Sequence, residues 1–187
     1  RFTSEGVFNG GKGWDADAYQ DGFVDMEFTD DGYIYFTGSI SYSGKIDNQP
    51  GNWTSNILVM KLNASLESIW TRYIDNPAHQ WITDTAPSPD GGLFITGSTM
   101  GSFGGRQCSD GTDALVTQMS PDGVVIGSQM VGGADSEKGI LITVGRNGTP
   151  LIWASLGSPT IEGYNAEASG VFWNTGEIPY DPYAECR

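Results

Sequence analysis

Acidic side chains dominate the chemistry open to this 187-residue chain: 23 Asp and Glu stand against nine Lys and Arg, a formal net charge of −14. Asp15, Asp17, Asp21 and Asp25 crowd one stretch near the start, and Asp135 with Glu137 occupies a corresponding stretch further on. Carboxylates are the hard oxygen donors that calcium prefers, so Asp15, Asp17, Asp21 and Asp25 are the candidate calcium ligands. Their spacing is not that of an EF-hand, and an acidic chain also gathers carboxylates in its loops for solubility alone. The single histidine, His79, lies in Asp75-Asn-Pro-Ala-His-Gln-Trp81, where loop packing is a simpler role than general base. No nucleophile elbow, phosphate loop, HExxH helix or cysteine nucleophile with a supporting histidine occurs, so no catalytic residue is expected and the chain reads as a non-enzyme. A hydrolase built from two carboxylates would leave no local signature and stays open as an alternative.

Other residues point to covalent modification and stacking. Asn52-Trp-Thr, Asn63-Ala-Ser and Asn147-Gly-Thr are N-glycosylation sequons, all in expected turns or loops. Asn147-Gly148 also suits a tight hairpin turn with positive φ, and both roles can coexist. Cys108 and Cys186 have no metal-ligand spacing. A disulfide between them would close a loop of about 79 residues and contribute roughly 4 kcal/mol; the alternative is two free thiols. Among six Trp, eight Tyr and eight Phe, several rings fall outside strand interiors. Trp53 and Trp81 are the candidates for stacking on a sugar, against the plainer role of filling gaps between sheets.

The elements that position these residues repeat. Asp30-Asp-Gly-Tyr-Ile-Tyr-Phe-Thr-Gly-Ser39 returns as Pro89-Asp-Gly-Gly-Leu-Phe-Ile-Thr-Gly-Ser98 and more faintly as Arg146-Asn-Gly-Thr-Pro-Leu-Ile-Trp-Ala-Ser155, a period of about 57–59 residues. Asn56-Ile-Leu-Val-Met-Lys-Leu-Asn63 matches Asp113-Ala-Leu-Val-Thr-Gln-Met-Ser120 at the same offset. Apolar residues alternate or cluster over short runs bounded by turn residues, which is strand behaviour. The expected strands are 22–29, 33–38, 56–62 and 68–74, then 82–86, 93–97, 114–119 and 124–131. The Gly of each Thr-Gly-Ser should leave room for a neighbouring backbone. The long connections 40–55 and 99–112 differ between copies, and variable loops on a repeated scaffold are where specific function sits.

Asp90-Gly91, Phe94-Ile-Thr-Gly97, Asp113-Ala-Leu-Val116 and Pro121-Asp-Gly123 together resemble the SBBP-type β-propeller repeat of bacterial extracellular proteins. The resemblance covers roughly residues 20–156 and implies four-stranded antiparallel blades while implying no catalytic residues. The expected fold is therefore all-β and propeller-like, with an N-terminal segment 1–19, blades at 20–76 and 77–133, a partial blade at 134–176 and an extended tail at 177–187. A propeller ring needs about four or more blades, so terminal strands, another subunit or further blades of a longer chain must cover the ends.

Two function classes remain. The preferred one is a secreted or cell-surface structural or adhesive glycoprotein that assembles with copies of itself, as a fibre or an oligomer, through blade ends and terminal segments. The alternative is a carbohydrate-binding or carbohydrate-active propeller with polysaccharide as partner, or a fragment of a larger propeller. Nucleic acid is an unsuitable partner, because the cations are scattered and the net charge repels phosphate. No apolar run is long enough to span a membrane, and the absence of a signal segment at Arg1 is what processing of a secreted chain would leave.

Overall fold

A computed structural model describes residues 4, 5, 8, 11, 13, 21–40, 45–46, 49–50, 55–74, 78–101, 111–132, 135–155, 157, 160–161, 164–165 and 170–174. Among them the chain is all-β and contains no helix. The first sheet comprises β1 (Asp21–Phe28), β2 (Ile34–Ile40), β5 (Asn56–Leu62) and β6 (Ser68–Ile74) in that order, every pairing antiparallel. The second repeats it with β7 (Gln80–Pro87), β8 (Leu93–Thr99), β9 (Asp113–Met119) and β10 (Val125–Val131). A third sheet has three strands, β11 (Lys138–Val144), β12 (Pro150–Ser155) and β15 (Gly170–Asn174). Two-residue hairpins, β3 (Lys45–Ile46) with β4 (Gln49–Pro50) and β13 (Thr160–Ile161) with β14 (Tyr164–Asn165), complete the described strands.

Five tight hairpins share one backbone design, a turn closed by a residue in the left-handed region. At 29–33, 63–67, 88–92, 120–124 and 145–149 the first residue donates its N–H to the fifth carbonyl and accepts from the fourth N–H. The fourth residue is Gly32, Gly91, Gly123 or Gly148, with φ between 80° and 84°. Leu66 holds the same place with φ 64°, a conformation that costs an L side chain about 1–2 kcal/mol. Its packing, partly buried, against the cluster of Ile34, Ile40, Leu58, Met60 and Leu62 offsets that cost.

The sheets pack face to face. Tyr35, Ile57 and Val59 of the first meet Ile82, Leu93, Ile95, Leu115 and Met119 of the second in one core. Ala86, Phe94 and Val116 of the second meet Ile142 and Ile152 of the third in another. Ile40, Leu58, Met60 and Leu62 form a buried cluster on the opposite face of the first sheet. The first strands β1, β7 and β11 run beside one another, with β7 touching both.

Each first strand carries a β-bulge at the same place, between Phe23 and Asp25, Ile82 and Asp84, and Gly139 and Leu141. A bulge bends the strand and re-aims the side chain beside it. It also explains the Thr-Gly-Ser glycines. A Cβ on Gly38 would lie 2.2 Å from the Gly22 carbonyl oxygen, and one on Gly97 would lie 1.9 Å from that of Trp81. The crowding neighbour is thus the bulged strand of the same sheet. In the third sheet the roles exchange: Ala154 pairs with Gly139, whose own missing Cβ lets the sheet approach Thr96 of the second.

Candidate functional site: a carboxylate seam between the sheets

Because the bulges recur in register, Asp25 and Asp84 occupy equivalent positions and perform the same task. Thr85 donates its backbone N–H (3.0 Å) and its hydroxyl (2.7 Å) to Asp25 Oδ2, joining the second sheet to the first. Ile142 donates its N–H to Asp84 Oδ2 at 2.7 Å, joining the third to the second. Asp25 Oδ1 accepts the N–H of Met26 at 2.8 Å. The position equivalent to Asp25 and Asp84 in the third sheet is Leu141, which is 58% exposed.

Glu27 joins this seam from the same face of β1. Burial above all, and then the charges of Asp25 and Asp84, push its carboxyl from 4.5 up to about 7. Burial also raises Asp84, with the N–H of Ile142 opposing and the charge of Asp25 adding to the rise. Glu27 and Asp84, both raised by burial and by the charge of Asp25, thus form an acidic cluster with it on adjoining strands.

A second carboxylate pair lies at the far rim of the same junctions. The N–H of Gln80 donates to the Ser55 carbonyl (3.0 Å), and in the equivalent place the N–H of Glu137 donates to the Thr112 carbonyl (2.6 Å). Each donor stands beside the residue that opens the third strand of the preceding sheet: Asn56 for Gln80, Asp113 for Glu137. Asp113 is 1% exposed and Glu137 0%. Burial, and secondarily Glu137, push the Asp113 carboxyl up to about 6.

The remaining sequence-derived candidates fall as follows. Asp25 belongs to the seam, where its oxygens accept backbone and hydroxyl protons, and Asp21 opens β1. Trp81 is half-buried and stacks on His79, ring centroids 5.8 Å apart and planes 17° from parallel. His79 Nδ1 accepts the N–H of Ser55 at 3.1 Å, which is the loop-packing role. Asn63 organises its turn, with Oδ1 accepting from Ser65 N (2.8 Å) and Glu67 N (3.0 Å) while Nδ2 donates to Glu67 Oε2 (2.7 Å). Asn147 is exposed, and its Oδ1 accepts from Thr149 N at 3.3 Å. Asp15, Asp17, Asn52, Trp53, Cys108 and Cys186 lie outside the described residues.

Sequence reasoning missed Glu27, Asp84, Thr85 and Asp113. One signal was present for Asp84, since it matches Asp25 in the repeat and stands in a strand interior that disfavours Asp. No protein-family model matches the chain, and comparison with curated proteins finds no significant relative.

Proposed function

We propose that the chain is a propeller-like structural or adhesive building block, secreted or displayed at a cell surface, that associates with copies of itself through its end sheets. The observation that carries this reading is the outer face of the third sheet. Leu141 and Leu151 are exposed there, and Leu141 stands where the inner sheets place a clasping Asp. At the other end β1 exposes Phe23, Val24, Met26 and Phe28. Apolar residues gathered on sheet surfaces mark interaction sites. The antiparallel four-stranded order and the adjacent first strands support the SBBP-like propeller reading. Exposed turns at Asn63 and Asn147 suit attached glycans, and the glycoprotein and disulfide readings are tested by mass before and after deglycosylation and reduction.

Sedimentation velocity at micromolar concentration tests the assembly. Wild type should sediment above its 20.0 kDa monomer, and Leu141→Lys should return it to monomer with an unchanged circular dichroism spectrum. A well-folded wild-type monomer would overturn the reading. One observation favours the carbohydrate-active alternative: Glu27 holds its proton up to about 7 beside Asp25 and Asp84, as a general acid must. Turnover of a polysaccharide that disappears in Glu27→Gln would establish it.

A further inference from the structure

Buried polar groups in folded proteins nearly always find partners, so an orphaned cluster requires an explanation. Register places Gln80, Thr99 and Asp113 in one row across β7, β8 and β9 at the rim of the second sheet, all on one face. Gln80 and Thr99 are 0% exposed and Asp113 is 1% exposed. Both side-chain polar atoms of Gln80 and both carboxylate oxygens of Asp113 lack any hydrogen-bond partner. Thr99 donates its hydroxyl to the Gly101 carbonyl (3.3 Å), leaving its oxygen lone pairs available on the row. Gly132 makes the room: a Cβ there would lie 1.5 Å from Asp113 Oδ1.

Two negative groups share this rim. Glu137 is held beside Asp113 by its N–H to the Thr112 carbonyl (2.6 Å) and by the Thr112 hydroxyl, which donates to the Glu137 carbonyl (3.3 Å). Burying a carboxylate without compensation is expensive, and the Asp113 carboxylate, with neither oxygen partnered, is such a group. The equivalent junction between the first two sheets buries no such charge, since Asn56 and Gln80 stand there in place of Asp113 and Glu137.

We propose that this rim is a divalent cation site of the calcium class, with the Asp113 carboxylate and the Gln80 amide oxygen as side-chain ligands and Glu137 supplying the second balancing charge. No group of three or more His, Cys, Asp or Glu side chains converges among the described residues, so the donor set is mixed. Calcium accepts such a set, taking carboxylate, amide and carbonyl oxygens in irregular geometry, whereas magnesium demands a near-ideal octahedron. The ion would tie β7 to β9 across the rim of the second sheet, at the end opposite its tight hairpins. None of these residues is among the Asp15, Asp17, Asp21 and Asp25 set read from the sequence.

The test uses the full chain, stripped with chelator and titrated with calcium chloride by isothermal calorimetry, with melting temperature read in calcium and in chelator. Wild type should bind calcium, melt higher in its presence, and respond less to magnesium. Asp113→Asn should weaken binding by about tenfold or more. It should also melt at or above wild type in chelator, because it removes a buried charge. Asp113→Asn with Glu137→Gln reproduces the amide pair that the first junction already accommodates, so it should fold and should lose the calcium response. Wild type that fails to bind at millimolar calcium overturns the proposal, as does an Asp113→Asn variant that binds equally well. A chelated wild type whose stability falls as pH rises through 6, without any effect of calcium, would show that a proton neutralises the rim instead.

Discussion

Replacing Glu27 by glutamine should stabilise the protein above neutral pH and leave it nearly unchanged in acid. The Glu27 carboxyl sits at about 7 in the fold, against 4.5 in the unfolded chain. Between those values the folded state holds a proton that the unfolded state has released, so stability falls as pH rises through that window. Above about 7 the penalty is fully present; below about 4.5 it is absent. A gap of about 2.5 units corresponds to a ceiling of about 3.4 kcal/mol at 1.36 kcal/mol per unit. Glu27 is only partly buried, and solvent screening reduces this to about 1–2 kcal/mol. Glutamine imitates the protonated acid at every pH, so the variant should gain about that much at pH 8, or about 2–8 °C in melting temperature, and almost nothing at pH 4. Thermal unfolding of both proteins by circular dichroism at unit intervals from pH 4 to 8 reads the effect. The difference between them isolates Glu27, because Asp84 and Asp113, also raised by burial, remain in both. Melting curves that keep a constant separation across the range would refute the assignment of Glu27 as a buried, electrostatically burdened acid.

Other substitutions probe the remaining architecture. Asp25→Ala removes the acceptor of two Thr85 bonds and leaves a buried N–H unpaired, and should cost about 2–4 kcal/mol in a denaturant titration. Gly97→Ala forces a Cβ against the Trp81 carbonyl and should destabilise by about 3 kcal/mol, whereas Gly22→Ala, which meets nothing within 4 Å, should be nearly neutral in the same assay. Asn63→Ala should lose about 1–2 kcal/mol even in protein made without glycans, since its side chain bonds two backbone N–H groups of its own turn.

Much of the strand plan was legible because alternation and turn residues are local signals. The eight expected strands of the first two repeats correspond to β1, β2, β5 and β6 and to β7 through β10, with ends displaced by a residue or two. Gly32, Gly91, Gly123 and Gly148 adopt the positive φ that their turns require. Leu66 gave no such signal, because leucine has no preference for that conformation and only the geometry shared with the other four hairpins exposes it. The Gly38 and Gly97 reading was right in kind, a backbone approaching too closely for a Cβ, but the bulge that causes it depends on pairing across the sheet. Asp113 was visible only as the counterpart of Asn56. Its burial in a row with Gln80 arises from strands separated by more than thirty positions in sequence, which no local pattern encodes. Asp25 stood in the sequence as a candidate calcium ligand, and its actual partner, Thr85, lies one repeat away.

The Asp clasps have a handedness of use with consequences for symmetry. In each, the carboxylate belongs to the earlier sheet and the N–H to the later one, from Asp25 to Thr85 and from Asp84 to Ile142. The stack therefore has a head and a tail that are chemically unlike. Two copies meeting head to head would not extend this order, so a two-fold dimer is the wrong symmetry for an assembly that continues the stack, in which Leu141 rather than a carboxylate meets the next copy. Continuation is heterologous, and the rotation between successive sheets then decides whether the copies close into a ring or run on as a filament.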